Sequence, residues 1–316
     1  MGALVEVKGL KKYFKTSRGM LHAVDDVDMV FEKGRTMGVV GESGCGKSTL
    51  GRTIIHLLES TGGSIFFEGK DVTHLSYREL VALRQDMQII FQDPFSSLNP
   101  RYTVNDTLKE PILRSKRVNR GNLDREILKL MDTVGIARRF RNAYPHEMDG
   151  GRRQRVCIAR ALSMQPRFIV CDEPVSALDV SIQAQVLNLL QDLQRDQGLT
   201  YMFVTHDLSV VRHISDDISV MYLGQVVETC ESEKFFENPM HPYTKALLEA
   251  VPSADIHNRT ERTLIQGEIA SPIDPDPACR FVKRCPYACD ECLKEQELKD
   301  MGDGHFVRCH RAGELS

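Results

Sequence analysis

Along the first seventy residues the chain switches between apolar and polar positions in short runs that read as strands. Leu4 to Val7, the alternating Val27, Met29 and Phe31, and Ser64 to Phe67 ahead of the turn-like Glu68-Gly69-Lys70-Asp71 all carry that pattern. Alternation with one wet face predicts an antiparallel β subdomain at the N-terminus. Met87 to Phe91 is a further short strand, stopped at Gln92-Asp93-Pro94 by proline. From Thr103 to about Ala143 the period becomes helical, through Leu108, Ile112, Ile127, Leu130, Met131 and Val134. Phe168–Cys171 and Tyr201–Val204 are unbroken apolar runs, the signature of buried parallel strands. Between them, Ile182 to Leu193 repeats apolar residues at helical spacing. Strand, helix, strand predicts an α/β fold with a parallel sheet flanked by helices. The proline-rich Ser271–Pro277 reads as a linker or irregular arm.

Composition narrows the field without choosing within it. The 316 residues are 41% hydrophobic and 27% charged, ordinary for a globular protein. A net charge of −3 gives no reason to expect a nucleic-acid surface. No apolar run approaches the roughly eighteen residues of a bilayer span, and no leader-like apolar stretch opens the chain. The expectation is a soluble, cytoplasmic chain, attached to a membrane only through a partner.

One stretch brings in chemistry. The apolar Met37-Gly38-Val39-Val40 runs into Gly41-Glu42-Ser43-Gly44-Cys45-Gly46-Lys47-Ser48, and a helix-like segment follows from Thr49 to Leu58. This is the layout of a phosphate-binding loop. Glycines let successive backbone N–H groups turn toward an anion, and the helix N-terminus adds a favourable dipole. Lys47 would reach the β- and γ-phosphates, and the Ser48 hydroxyl would take one Mg²⁺ position. The loop implies binding of a nucleoside triphosphate. Further on, the strand Phe168–Cys171 ends in Asp172-Glu173. An acid in Asp172's position can hold Mg²⁺ through water, and Glu173 is placed to orient or deprotonate a water attacking the γ-phosphate.

The order GESGCGKST (41–49), FQDP (91–94), GGRRQR (150–155), CDEPVSALD (171–179) and VTHD (204–207) resembles the ATP-binding subunits of ABC transporters across nearly the whole chain. That resemblance implies an ABC-type phosphate-loop core, a helical subdomain over about 93–165, and ATP with Mg²⁺. It also assigns roles. Tyr13 would stack on adenine, with Phe14 as its competitor. Gln92 would sense Mg²⁺ and water, Asp179 would lie on a loop crossing between two ATPase subunits, and His206 would contact the γ-phosphate. Such ATPases work as head-to-tail dimers, each ATP lying between one phosphate loop and the other subunit's signature loop.

The signature departs from its usual LSGGQ: here it is Met148-Asp149-Gly150-Gly151-Arg152. Both glycines remain, but a carboxylate replaces the serine that would donate to the γ-phosphate. An ionised Asp149 only accepts hydrogen bonds and repels a triphosphate. Arg152 could offset this by pairing with carboxylate or phosphate. Alternatively, Asp149 is an N-cap for a helix starting near Gly151. The expectation is a heterodimer with unequal sites, the one built on Met148–Arg152 turning over slowly or not at all.

His241-Pro242-Tyr243-Thr244-Lys245-Ala246-Leu247-Leu248, with Val251-Pro252, resembles the oligopeptide/dipeptide importer group within that family. So does the cysteine-rich stretch from Cys279-Arg280-Phe281 to Cys309-His310. The resemblance implies a [4Fe-4S] cluster on Cys279, Cys285, Cys292 and Cys309, leaving Cys289 spare or as an alternative ligand. Thiolates suit iron–sulfur or Zn²⁺ alike; spacings of five, six and sixteen residues between the four lack the CxxC pairs common for structural zinc. Cys285-x₃-Cys289-x₂-Cys292 also matches the triplet of radical S-adenosylmethionine enzymes, though at the wrong end of a chain for one. Of the other cysteines, Cys45, Cys157, Cys171 and Cys230 are scattered, three of them in apolar surroundings.

Taken together, residues 1–250 are expected to form the ATP-binding domain and 251–316 an irregular C-terminal region. The implied partners are a sister ATPase, two membrane permeases and an external solute-binding protein, with no nucleic acid. The implied place is the cytoplasmic face of the inner membrane. The rival is a soluble ABC ATPase acting on nucleic acid or the ribosome.

Overall fold

Two fourteen-residue strands, Ala3–Thr16 and Gly19–Glu32, open the computed structural model, which describes residues 2–115, 120–250 and 271–314. The chain divides into two compact units.

One unit holds Val5–Phe31, Thr36–Thr73 and the chain from Thr205 onward. Its antiparallel sheet pairs Val5 with Phe67 and Val7 with Ile65, then turns through Glu68 and Gly69 into Lys70–Asp71. Val5, Val7, Leu10, Val24, Val27, Met29 and Phe31 all point inward, as their alternation predicts. Thr36–Val40 is buried at every position, which explains why its apolar run lacks alternation. It lies parallel to Asp217–Tyr222, with Val40 opposite Val220. Asp217–Tyr222 turns back into Gln225–Glu231, and Phe306–Val307 then pairs with that strand, placing Val307 opposite Glu228. The last residues of the chain therefore extend a sheet begun near residue 36. Two-residue strands are too short for periodicity to reveal.

The core of this unit gathers Val40, Val211, Tyr222, Phe235, Tyr243 and Phe281. Phe281 meets the Tyr222 ring edge-on, centroids 5.3 Å apart. Ser271–Pro277, read as a linker, is pinned to the first hairpin. Ile273 bridges Leu21, His22 N–H donates to the Pro272 carbonyl, and Met20 N–H donates to the Asp274 carboxylate. Proline removes donors but not acceptors, so the Pro272 carbonyl accepts here, while the non-proline Asp274 also donates its N–H to the Met20 carbonyl. The helix after the phosphate loop is shorter than expected. It runs Lys47–Ile54, with His56 already at φ +57°.

The other unit holds Met1–Leu4, Glu32–Arg35 and His74–Val204. Met87–Ile90, Phe168–Asp172 and Thr200–Val204 form three parallel strands, Met87 opposite Phe168 and Asp172 opposite Val204. Between Pro94 and Leu162 every regular element among the described residues is helical. The single helical period read from Thr103 to Ala143 resolves into Val104–Arg114 and Leu123–Thr133. Thr103 caps the first reciprocally with Asp106. Val180–Gln197 is the longest helix among the described residues and ends in Gly198 at φ +65°.

Candidate functional site: a phosphate loop and its acidic counterpart

Strand Thr36–Val40 delivers the chain to Gly41, and Gly46 sits one residue before the helix Lys47–Ile54. Both glycines are dictated by crowding as well as by torsion. At Gly41 (φ +146°) a Cβ would lie 2.2 Å from the Met221 carbonyl oxygen, and at Gly46 (φ +108°) 2.0 Å from that of Ala23. Between them Glu42 is half-buried, Ser43 and Gly44 are exposed, and Cys45 is buried with its thiol pushed up by desolvation. Lys47 is 5% exposed, and its ammonium donates to the Gly41 and Glu42 carbonyls at 2.8 and 2.9 Å. Ser48 and Thr49 occupy the first helical turn, half-buried. A cation inside the curl and a helix N-terminus at its end suit a polyphosphate.

In the same unit, Thr205 N–H donates to the Val39 carbonyl, so the exposed His206 lies one residue beyond a bond to the strand that feeds the phosphate loop. Asp207 then caps Leu208–Ile214 through the Ser209 and Val210 amides. Tyr13 is half-buried and stacks on His22, centroids 3.9 Å apart and planes 18° from parallel. Its hydroxyl bonds to Asp25, which also holds His22 Nδ1 and Arg280. Burial and that carboxylate push the Tyr13 phenol up. With His22 over one face, an adenine can stack on the other face only. The competing Phe14 carries the Lys12 ammonium 4.9 Å from its ring centroid.

The acidic residues belong to the other unit. Asp172 closes Phe168–Asp172 and is 2% exposed. Glu173 follows at φ +48°, a strained conformation costing about 1–3 kcal/mol for a residue with a side chain. Its N–H donates to the Val204 carbonyl, its carbonyl accepts from Ser176, and its carboxylate accepts from Gln92 Nε2 at 2.9 Å. The two residues expected to handle water and Mg²⁺ thus touch. Asp149 caps Gly150–Leu162 by accepting from Arg152 N–H, while the Arg152 guanidinium returns to Asp149 at 2.7 Å. Capping and charge pairing therefore coexist. Arg152 also lies over the Phe140 ring at 4.7 Å. Gly151 faces Ile182, whose Cγ2 would be 2.6 Å from an added Cβ, and Asp179 holds the N-cap position of the Ile182 helix, exposed.

Cys279, Cys285, Cys292 and Cys309 line one pocket with Tyr287 and His310. Burial raises all four thiols, Cys279 to about 11. Two other donor sets among the described residues each lie within 4.8 Å: Cys289, Cys292 and His310, and the buried Glu228, Cys230 and His305. Cys289 Sγ sits 3.4 Å from His310 Nε2. Cys45, Cys157, Cys171 and Cys230 are all buried.

Several partners of these residues carry no signal in a single sequence. Arg284 pairs with Glu42, and Arg280 with Asp25. Glu228, wholly buried, accepts from His305 and from the Met240 and His241 amides. His241 accepts from Tyr243 N–H through Nδ1, and burial lowers its pKa to about 4. Unfolded, the same imidazole titrates near 6.5. The unfolded chain therefore takes up the proton first, and stability falls as pH drops from about 6.5 to 4, by about 3 kcal/mol. Urea unfolding at pH 7 and pH 4.5 measures this. His241→Asn, which retains a cap acceptor, is expected to flatten that part of the pH dependence.

These features define a phosphate-loop nucleotide-binding protein. Residues 24–176 match the family described as ABC transporter, and residues 227–292 match the oligopeptide/dipeptide transporter C-terminal region. The chain is 47% identical to the oligopeptide transport ATP-binding protein AppF of Bacillus subtilis, over 97% of each chain. It is 44% identical to the dipeptide transport ATP-binding protein DppF of Haemophilus influenzae, over 97% of this chain and 96% of that one. Among solved structures it resembles the dimeric post-hydrolysis state of the ATP-binding cassette MJ0796 bound to ADP and Pi. The TM-score is 0.66 at 28% identity, covering 72% of this chain and 98% of that one. The chain belongs to the ABC transporter ATPases of the oligopeptide/dipeptide group.

Proposed function

We propose that this chain is the ATP-hydrolysing subunit of an importer for di- or oligopeptides or a related small solute. It would work on the cytoplasmic face of the inner membrane, held there by two permeases and served by an external solute-binding protein. The observation that supports this most is similarity to peptide-transport ATPases that runs unbroken through both the phosphate loop and the cysteine segment. Among the described residues no helix is long and apolar enough to cross a membrane, so attachment would come through partners. A groove of about 520 Å³ lined by Gln88, Asn99, Tyr102, Pro111 and Arg160, close in sequence to Gln92, is the proposed seat for a permease.

In the proposed reaction Lys47 offsets the charge of the β- and γ-phosphates, and His206 contacts the γ-phosphate. Glu173, steadied by Gln92, orients the attacking water and takes its proton. As the family resemblance implies, Ser48, Asp172 and Gln92 would be the residues to hold Mg²⁺, which would neutralise phosphate charge. The acceptor-only Asp149, tied to Arg152, makes this chain's signature loop a poor partner for a γ-phosphate. Hence the heterodimer: the productive site pairs this phosphate loop with a sister subunit's signature. In the assembled complex, Asp149→Ser with Arg152→Gln should raise ATP turnover up to about twofold, as a second site becomes active. Asp149→Ala should instead lower stability by about 1 kcal/mol through loss of the cap.

Four cysteines around one pocket also fit a soft-metal centre, and we assign Cys279, Cys285, Cys292 and Cys309 to a [4Fe-4S] cluster. Such a cluster would crosslink the segment. Zn²⁺ is the rival, better suited to Cys289, Cys292 and His310. Iron content and visible absorbance of anaerobically purified protein distinguish them. Affinity purification from membranes tests the whole reading: permeases and a second ATPase are expected, whereas recovery with ribosomes or nucleic acid overturns it.

A further inference from the structure

Glu42, the second residue of the phosphate loop, is held from two directions by residues more than two hundred positions later. Its carboxylate receives two parallel bonds from Arg284, Nη1 to Oε2 at 2.9 Å and Nη2 to Oε1 at 3.0 Å. Its backbone N–H donates to the Tyr243 hydroxyl at 2.9 Å. Neither holder is a loose surface group. The Arg284 side chain is 8% exposed and also reaches the Tyr222 hydroxyl at 3.3 Å, and Tyr243 is wholly buried against Tyr222 and Phe281. An exposed ion pair would contribute little. A forked guanidinium–carboxylate pair among aromatic rings fixes both distance and plane.

Fixing Glu42 matters because its carbonyl, with that of Gly41, receives the Lys47 ammonium. A loop that shifts at Glu42 carries the phosphate-binding lysine with it. Arg284 is itself anchored by its N–H to the Phe281 carbonyl, and the next residue, Cys285, lines the cysteine pocket.

We propose that Arg284 and Tyr243 are positioning residues of the nucleotide site: the C-terminal segment holds the phosphate loop in its binding shape through Glu42. This rests on the reading of the chain as an ATPase. A loop so held loses less conformational freedom when it closes on a triphosphate. By thermodynamic reciprocity, Mg-ATP also stabilises the Arg284 segment, so it slows backbone amide exchange there.

The test is equilibrium titration of the full chain with a fluorescent Mg-ATP analogue, well below the melting temperature of each variant. Arg284→Ala and Glu42→Gln are each expected to weaken binding about tenfold, and the double variant no further than the weaker single, because both remove one interaction. Arg284→Lys, which keeps the charge but loses the fork, should recover part of the affinity. If Arg284→Ala does not fold, Glu42→Gln and Arg284→Lys carry the comparison. Affinities within twofold of the parent, or losses that add in the double variant, overturn the assignment. Absence of Mg-ATP binding by the parent chain sinks the ATPase reading instead. Mass-spectrometric amide hydrogen exchange over residues 281–284 with and without Mg-ATP is a second readout, and equal rates count against the proposal.

Discussion

Glu173→Gln is expected to lower ATP turnover by about 10²- to 10⁴-fold while leaving Mg-ATP binding within a few-fold of the parent. The amide oxygen of glutamine can still accept from Gln92 Nε2, and the backbone bond from residue 173 to the Val204 carbonyl is untouched. What disappears is the basic oxygen that takes a proton from water. The strained backbone at this position, φ +48°, is retained in the variant and so cancels in the comparison. Single-turnover phosphate release from the assembled complex, beside an equilibrium binding titration, separates chemistry from affinity. Turnover within tenfold of the parent would assign the base to another residue.

Phe281→Ala is expected to destabilise the protein by about 3–5 kcal/mol, the range for truncating a buried phenylalanine. Phe281 is 1% exposed and packs against Tyr222, Tyr243 and His241. Three rings would lose a partner at once, and the cavity would open beside Cys279 and Cys285. Denaturant unfolding measures the loss. A change below about 1 kcal/mol would mean that the cysteine segment merely rests on this core. Phe281→Leu, which keeps most of the apolar volume, should fall between the two.

The strands were legible wherever one physical pattern dominated. Val5, Val7, Val27, Met29 and Phe31 alternate because one face of their sheet is wet, and Phe168–Cys171 runs unbroken because both faces are dry. The phosphate loop was legible because its glycines are sterically compelled. Gly41 and Gly46 each meet a carbonyl oxygen from a distant segment, and no other residue fits. Asp149 was half legible: a carboxylate before two glycines announces a cap, but only the fold shows Arg152 closing over it.

What stayed hidden was long-range. Arg280 and Arg284 look like ordinary charges beside cysteines, and nothing in the sequence ties them to Asp25 and Glu42 some 250 residues earlier. Ser271–Pro277 reads as a linker because proline signals irregular backbone, yet such a segment can still accept hydrogen bonds, from His22 at the Pro272 carbonyl and from Met20 at the Asp274 carboxylate. Phe306–Val307 is too brief for a period to show, and its pairing partner alone makes it a strand.

Phe306–Val307 also bears on how the molecule is made. A ribosome releases Thr36–Val40 and the phosphate loop well before Phe306–Val307, which joins the same sheet between Gln225–Glu231 and Lys299–Asp300. Pairings of such sequence separation form slowly, after much loop-closure entropy has been overcome. A nascent chain stalled short of residue 280 would display the loop without Arg284 to hold it, and readiness for nucleotide would wait until the Arg284 segment had been made and had docked.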